Sequence, residues 1–446
     1  MALPVIRPNK HALLLAVALV APWCVQAGTV VVNGDVGAGV SDNPGRTPGP
    51  SRSSAVYEAG LQFDVRELTR RLTFNLAGDL SYVDYGSTAS KNRIDGNAAL
   101  ASTLQLVPDT LAWTLDDAFG QTRRNGLSAF SPGNRENINL FSTGPDLRLR
   151  FADSLQGVAS ARYSRVDYES SPADSDRYGL LVGLRHPVSG TSSVLVSASS
   201  ERVEPRGTNA TAAYDRREAY MTYDLRGSTT QLGLDLGGNQ IDIAGARQSG
   251  SLLRLKASRR LGARSTLSFD AGREYSDAGS QLGGRGGQFA LPDVAQLGLS
   301  QTANPFLSRY AQMGLDLQGL RTVLSLSGGW RAEDYTTAGM INRDRLMLSA
   351  QLSRRVGPKL EARARVDHWR TTFEGATPDY NETTSQLGLA WAAGRHVSLE
   401  LSAERYQYSS SIAGASLAEN RGWLRVRYGE MIRRSVGGQV VPATLP

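Results

Sequence analysis

The segment Lys359-Leu-Glu-Ala-Arg-Ala-Arg-Val-Asp367 constrains the fold more than any other stretch of the chain. From Leu360 to Val366 every second residue is small or apolar, and Glu361, Arg363, Arg365 and Asp367 stand between and after them. A strand sends successive side chains to opposite faces, so this segment has one apolar face and one ionic face. The pattern recurs along nearly the whole chain, and no helical period appears after residue 27. Many such strands need one common apolar environment for their aliphatic faces. A closed wall with lipid outside and water inside provides it and also pairs every backbone group. The expected fold is therefore all-β: an antiparallel, up-and-down transmembrane barrel.

The connections between strands fall into two kinds. Short turns are expected near Glu67, Pro108-Asp109, Asp153-Ser154, Pro187 to Thr191, Arg226 to Ser228, Gly262-Ala263, Gln318-Gly319, Gly357-Pro358 and Gly394-Arg395. Longer polar loops alternate with them at 41–54, 86–91, 123–136, 170–176, 204–213, 243–249, 277–303, 336–341, 374–382 and 409–419. Short periplasmic turns and long extracellular loops are the habit of outer-membrane barrels, whereas sandwiches and propellers have no reason to sort their connections. The segments between number about 20, within a range of about 18 to 22. The 277–303 loop is the longest, with the Gly-rich run Gln281 to Gln288 followed by a mildly apolar stretch. It is read either as folding into the lumen or as lying outside.

Before the first strand, Arg7 and Lys10 precede an apolar run from Ala12 to Trp23, and Val25-Gln26-Ala27 offers small residues for cleavage. Residues 1–27 thus read as a cleaved secretory signal, too short to span a membrane as a helix. The only cysteine, Cys24, lies inside it, so residues 28–428 (the barrel) and 429–446 (a C-terminal tail) carry neither disulfide nor thiol. Removing Arg7 and Lys10 from the formal charge of +7 leaves +5. Beyond the signal, lysine occurs only at 91, 256 and 359, so nearly all cations are arginines. Arginine grips carboxylates and phosphates in a fork and keeps its charge. For an exported protein this points to outer-membrane lipid, lipopolysaccharide or an acidic polymer rather than nucleic acid.

The clearest strands allow the faces to be assigned. Leu147, Leu149 and Phe151 oppose Arg148 and Arg150; Leu253 and Leu255 oppose Arg254 and Lys256; Leu424, Val426 and Tyr428 oppose Arg425 and Arg427. An arginine facing lipid at the midplane costs about 2–4 kcal/mol, so the aliphatics belong outside. Arg148, Arg150, Arg254, Lys256, Arg363, Arg365, Arg425 and Arg427 are the candidate lumen lining. Either they form a selective surface, or they build a salt-bridged ladder that fills the inner face of the wall. Aromatic residues gather near strand ends. Tyr82, Tyr85, Tyr168, Tyr275, Trp330, Tyr335, Trp369 and Tyr406 lie toward the long loops, and Trp113, Phe151, Trp391 and Tyr428 toward the turns. Two interfacial girdles are the expectation.

Several segments carry a resemblance. Ser265 to Asp277 (Ser-Thr-Leu-Ser-Phe-Asp-Ala-Gly-Arg-Glu-Tyr-Ser-Asp) and Val182 to Gly190 followed by Ser193 to Arg202 form similar hairpin units. Gly37 to Asn43 is a first strand ending in Ser-Asp-Asn, and Leu104 to Asp109 precedes a strand and a Ser131-Pro132 loop. These segments resemble the outer-membrane β-barrels of exopolysaccharide loci, the PEP-CTERM-system-associated family and related β-barrel porins. The resemblance covers most of the chain after the signal and implies a part in assembly or export of extracellular polysaccharide, with no catalytic residues to carry over. In that family the last strand commonly ends on an aromatic residue; here Gly422 to Tyr428 is followed by an 18-residue tail.

Catalytic constellations are absent from the pattern. His186 and His396 fall at turns. Asp367 and His368 are neighbours in a strand and point to opposite faces, as do Asp116 and Asp117. No His/Cys/Asp set has metal-ligand spacing, and Gly283 to Gly287 lacks the strand-to-helix context of a phosphate loop. The sequence implies no enzyme, cofactor or metal. It leaves a pore or conduit, linked through the resemblance to exopolysaccharide and export-machinery proteins, against a plugged surface-interaction or scaffold barrel acting through its loops. A soluble secreted β-protein is a third reading, distinguished by detergent-independent solubility.

Overall fold

The computed structural model describes residues 28–50, 52–86, 92–206, 212–282, 303–337, 339–375 and 377–429, and the backbone of 432–434 and 440–442. Residues 1–27, the expected signal, lie outside them. Twenty strands form the wall. The first ten are β1 (Thr29–Ser41), β2 (Ser54–Leu68), β3 (Leu72–Asp84), β4 (Arg93–Val107), β5 (Leu111–Arg123), β6 (Arg135–Ala152), β7 (Leu155–Tyr168), β8 (Ser175–Pro187), β9 (Ser192–Pro205) and β10 (Tyr214–Arg226). The second ten are β11 (Thr230–Ile243), β12 (Ala246–Gly262), β13 (Ser265–Ser276), β14 (Phe306–Gln318), β15 (Thr322–Tyr335), β16 (Arg343–Arg355), β17 (Leu360–Phe373), β18 (Tyr380–Ala392), β19 (Val397–Ser410) and β20 (Leu417–Tyr428). Each pairs antiparallel with the next, and β20 closes onto β1 in a register that sets Val426 opposite Val36. Closure leaves no wall edge. Ile432–Arg434 and Val440–Pro442 pair with each other in a separate two-stranded sheet.

Burial separates the two surfaces of the wall. Val40, Leu387 and Leu401 each expose 60% or more of their surface, and other large aliphatics on the same parity, such as Val36 and Leu424, expose more than half. Burying one such side chain is worth about 1.5–3 kcal/mol, so a band of them around the outside calls for an apolar solvent. The opposite parity carries Asp35, Asp64, Glu218, Glu274, Asp367 and Glu419, all buried. Strands of 12 to 18 residues exceed the roughly 9–11 that a tilted membrane crossing needs. No helix among the described residues is long and apolar enough to cross a membrane.

One expected loop is replaced by a turn. Residues 243–249 read as a polar loop, yet β11 and β12 pair as far as Ile243 and Ala246 and turn on Ala244-Gly245 alone. Both turn residues have positive φ, 50° and 82°, the backbone of a two-residue hairpin turn matched to strand twist. Arg247, Gln248 and Ser249 looked loop-like because a ribbon extending past the apolar band has no need of an aliphatic face.

Candidate functional site

All eight cations singled out from the sequence sit on the parity opposite the exposed aliphatics. Four of them are tied into ion pairs. Arg254 meets Glu274 at 2.5 Å, Glu218 at 2.8 Å and Asp235 at 3.3 Å. Arg425 contacts Glu58 at 2.9 Å, Arg363 contacts Glu361 at 2.7 Å, and Arg365 contacts Asp367 at 2.6 Å. Arg148, Arg150, Lys256 and Arg427 form no ion pair among the described residues. His368 donates or accepts at Thr383 Oγ1, 2.9 Å away, while Asp367 accepts from Ser349 and Arg365, so the two adjacent groups serve opposite faces.

The long-loop end of the barrel is shaped by segments the sequence marked only as loops. Pairing of β4 with β5 stops at Ala98 opposite Phe119, whereas β5 and β6 stay paired up to Arg123 opposite Arg135. The tip of the β5–β6 hairpin therefore leaves the wall. Just past the parting, Gly96 stays paired with β3; its φ is +135°, and a Cβ there would run into the carbonyl oxygen of Asp79. Gln121 Nε2 caps the parted edge by donating to Ile94 O at 2.9 Å.

The tip reaches strands that lie beyond β4, β3, β2, β1 and β20 around the wall. Arg123 of β5 and Glu382 of β18 form an ion pair, with only 2% and 1% of their side chains exposed. Phe130 N donates to Glu382 Oε1 at 3.3 Å and to the Tyr406 hydroxyl at 3.1 Å, and Tyr406 in turn donates to Glu382. Tyr408 donates its hydroxyl to Leu127 O at 2.7 Å. From the loop after β1, Arg46 donates to Phe130 O at 3.0 Å and to Glu419 at 2.7 Å, and its guanidinium lies 3.9 Å over the Tyr406 ring. Burial opposes the charge of Arg46, but Glu419 and Glu404 outweigh it and hold the group protonated above the usual arginine range. Ala129, Tyr380, Tyr406 and Tyr408 pack together beneath the tip.

A second inward turn follows β13. Its pairing with β12 ends at Arg273 opposite Leu253, and the chain continues through Asp277 into a short helix, Ala278–Leu282. Asp277 accepts from Arg177 of β8 at 2.5 and 2.9 Å, and Arg216 of β10 lies 3.7 Å away. Both arginines also share Glu201. Burial opposes ionisation of Asp277, but Arg177, Arg216 and Ser280 outweigh it and hold the carboxyl below the usual range. Ala278 packs against Ile138, Leu140, Val166, Tyr168 and Ala173. The described start of the 277–303 segment thus turns into the lumen; residues 283–302 lie outside the described residues.

These contacts correct the expected girdle on the long-loop side. Tyr82 and Trp330 do face outward, 49% and 40% exposed. Tyr85, Tyr168 and Tyr406 are buried on the inner side, Tyr335 donates to the inner Glu333, and Trp369 shares the parity of Asp367. Tyr275 is buried with Val203, Tyr214 and Ile241 where β13 has parted from β12. Aromatic rings here form the packing under the inward segments, a role that sequence position near a strand end cannot distinguish from a girdle. At the turn end Trp113, Phe151, Trp391 and Tyr428 all face outward and are at least 43% exposed.

No family model and no curated protein matches the chain. Among solved structures, a point mutant of the ferric enterobactin receptor PfeA of Pseudomonas aeruginosa is 10% identical, with 91% of this chain and 81% of that chain covered and a TM-score of 0.46. A loop-deletion mutant of the Vibrio cholerae outer-membrane protein OmpT is 11% identical, with 91% and 100% covered and a TM-score of 0.33. The FrpB iron transporter of Neisseria meningitidis is 8% identical, with 90% and 81% covered and a TM-score of 0.43.

Proposed function

We propose that the protein is a non-enzymatic conduit of the bacterial outer membrane, with the short turns in the periplasm and the inward segments narrowing its extracellular mouth. The observation that carries this is the closed wall itself, aliphatic outside and ion-paired inside. Arg148, Arg150, Lys256 and Arg427 give the lumen cations that no described ion pair engages, which favours anions. The resemblance to barrels of exopolysaccharide loci supports a polysaccharide, acidic or neutral, as the cargo, and these cations favour an acidic one. Conductance of the purified barrel in planar bilayers tests this: anion preference is expected, with current interrupted by acidic polysaccharide and not by neutral dextran of the same length. A cation-selective barrel, or one indifferent to both polymers, removes the reading.

The hairpin across the mouth favours a second reading, a plugged barrel that acts through its extracellular loops. Loosening the Arg123–Glu382 tie separates the two. A conductance jump from a silent wild type identifies a plug, and an already conducting wild type identifies an open pore.

A further inference from the structure

Most outward arginines near the long-loop end are matched with carboxylates, as Arg202 is with Glu204 and Arg309 with Asp334. Arg405 of β19, like Arg273 and Arg370, has no carboxylate in an ion pair among the described residues; its only described partner is Asn420 Oδ1, at 3.1 Å. A guanidinium has five N–H donors, so most of this one is uncommitted. The carboxylate that could compete, Asp42, is occupied by Asn420, whose backbone N and Nδ2 both donate to it at 2.7 Å.

Arg405 stands at a step in the wall. Strand register aligns Leu387, Ala403, Gly422 and Val40 in one outward row across β18, β19, β20 and β1. The next row toward the loops is Ser385, Arg405, Asn420 and Asp42. Apolar thus gives way to polar at the same level on four adjacent strands, which places the membrane boundary between the rows. In the apolar row the two central residues are small, while Leu387 and Val40 on either side are long and more than 60% exposed. The result is a groove of about 560 Å³, lined by both rows and open to the outside.

We propose that this groove seats a phosphate-bearing membrane lipid, an acyl chain lying over Ala403 and Gly422 between Leu387 and Val40, and the phosphate on Arg405. The inference rests on the membrane reading of the wall but not on any cargo. The groove supplies a width matched to one chain, and the uncommitted fork supplies the counter-charge at the height where a headgroup begins. Neither feature is explained by the barrel's own packing: Arg405 stabilises no carboxylate, and a Cβ at 422 would meet only Val40, at 4.0 Å.

The test uses the full chain in detergent, titrated with bis-phosphorylated lipid A and with the same lipid after phosphate removal, and read by native mass spectrometry. One phosphorylated lipid is expected to remain bound, and the dephosphorylated form is expected to bind about tenfold or more weakly, as loss of a charge-assisted hydrogen bond predicts. Arg405→Ala should match that loss. Gly422→Leu should weaken both lipids by filling the groove, with the charge intact. Unchanged heat-modifiable gel mobility of both variants shows the barrel still closed. Equal binding of the two lipids, or wild-type binding by both variants, overturns the proposal. Solubility without detergent would instead overturn the membrane reading beneath it.

Discussion

Replacing Glu382 with Gln probes the mouth most directly. The carboxylate is 1% exposed and takes three donors: the Arg123 guanidinium, Phe130 N and the Tyr406 hydroxyl. Glutamine keeps the volume and still accepts from Phe130 and Tyr406, so the change isolates the charge. It removes the carboxylate charge that Arg123, 2% exposed, meets in Glu382. Breaking a buried pair on one side costs about 3–5 kcal/mol. The hairpin can escape that cost by undocking, because past Ala98 no backbone ladder ties it to β4, only side-chain bonds such as Gln121 to Ile94 O and Arg135 to Asp95. At about 3 kcal/mol the docked-to-undocked ratio falls roughly 150-fold, one decade for each 1.4 kcal/mol. Single-channel recording in planar bilayers should show longer or larger open states for Glu382→Gln and for Arg123→Ala. The paired replacement Arg123→Met with Glu382→Leu should close the mouth again, because apolar residues in place of both partners remove the buried charges together. Wild-type conductance in Glu382→Gln, or a double variant as open as the singles, refutes the reading that the Arg123–Glu382 tie holds the hairpin docked.

Other consequences are open to measurement. Asp277→Asn should free the short helix from Arg177 and Arg216, seen as faster proteolysis near residues 277–282 from pH 8 to about 4.5, where the wild-type carboxyl is ionised. In the wild type the depressed Asp277 carboxyl stabilises the docked turn fully above the ordinary aspartate value near 3.9, and that contribution is lost as pH falls through the lower folded value. Protection should therefore be flat from pH 8 to about 4.5 and fail only in stronger acid. Neutralising Arg148, Arg150, Lys256 and Arg427 together should reduce anion preference without altering heat-modifiable mobility, read as the reversal potential in a salt gradient. Gly96→Ala should destabilise the barrel by at least about 1–3 kcal/mol through its positive φ and the approach to Asp79, read as a lower temperature for the mobility shift.

The alternation in Lys359–Asp367 and its many repeats determined the wall, because a period of two fixes which face each side chain takes whatever strand lies beside it. The alternation of short and long connections determined the strand order and the nine tight turns for the same local reason. What the tertiary structure decided is where the wall comes apart. Arg123 follows the same alternation as the outward Phe119, and only the loss of pairing beyond Ala98 carries it across the lumen to Glu382. Tyr406 and Tyr168 sit near strand ends like girdle residues, and become packing because inward segments cover them. Arg46 and Asp277 lie in loops whose composition says only that they are polar. Contacts between residues hundreds of positions apart, such as Arg46 with Glu419, follow from closure of β20 on β1, and closure is a property of the whole sheet that no local period encodes.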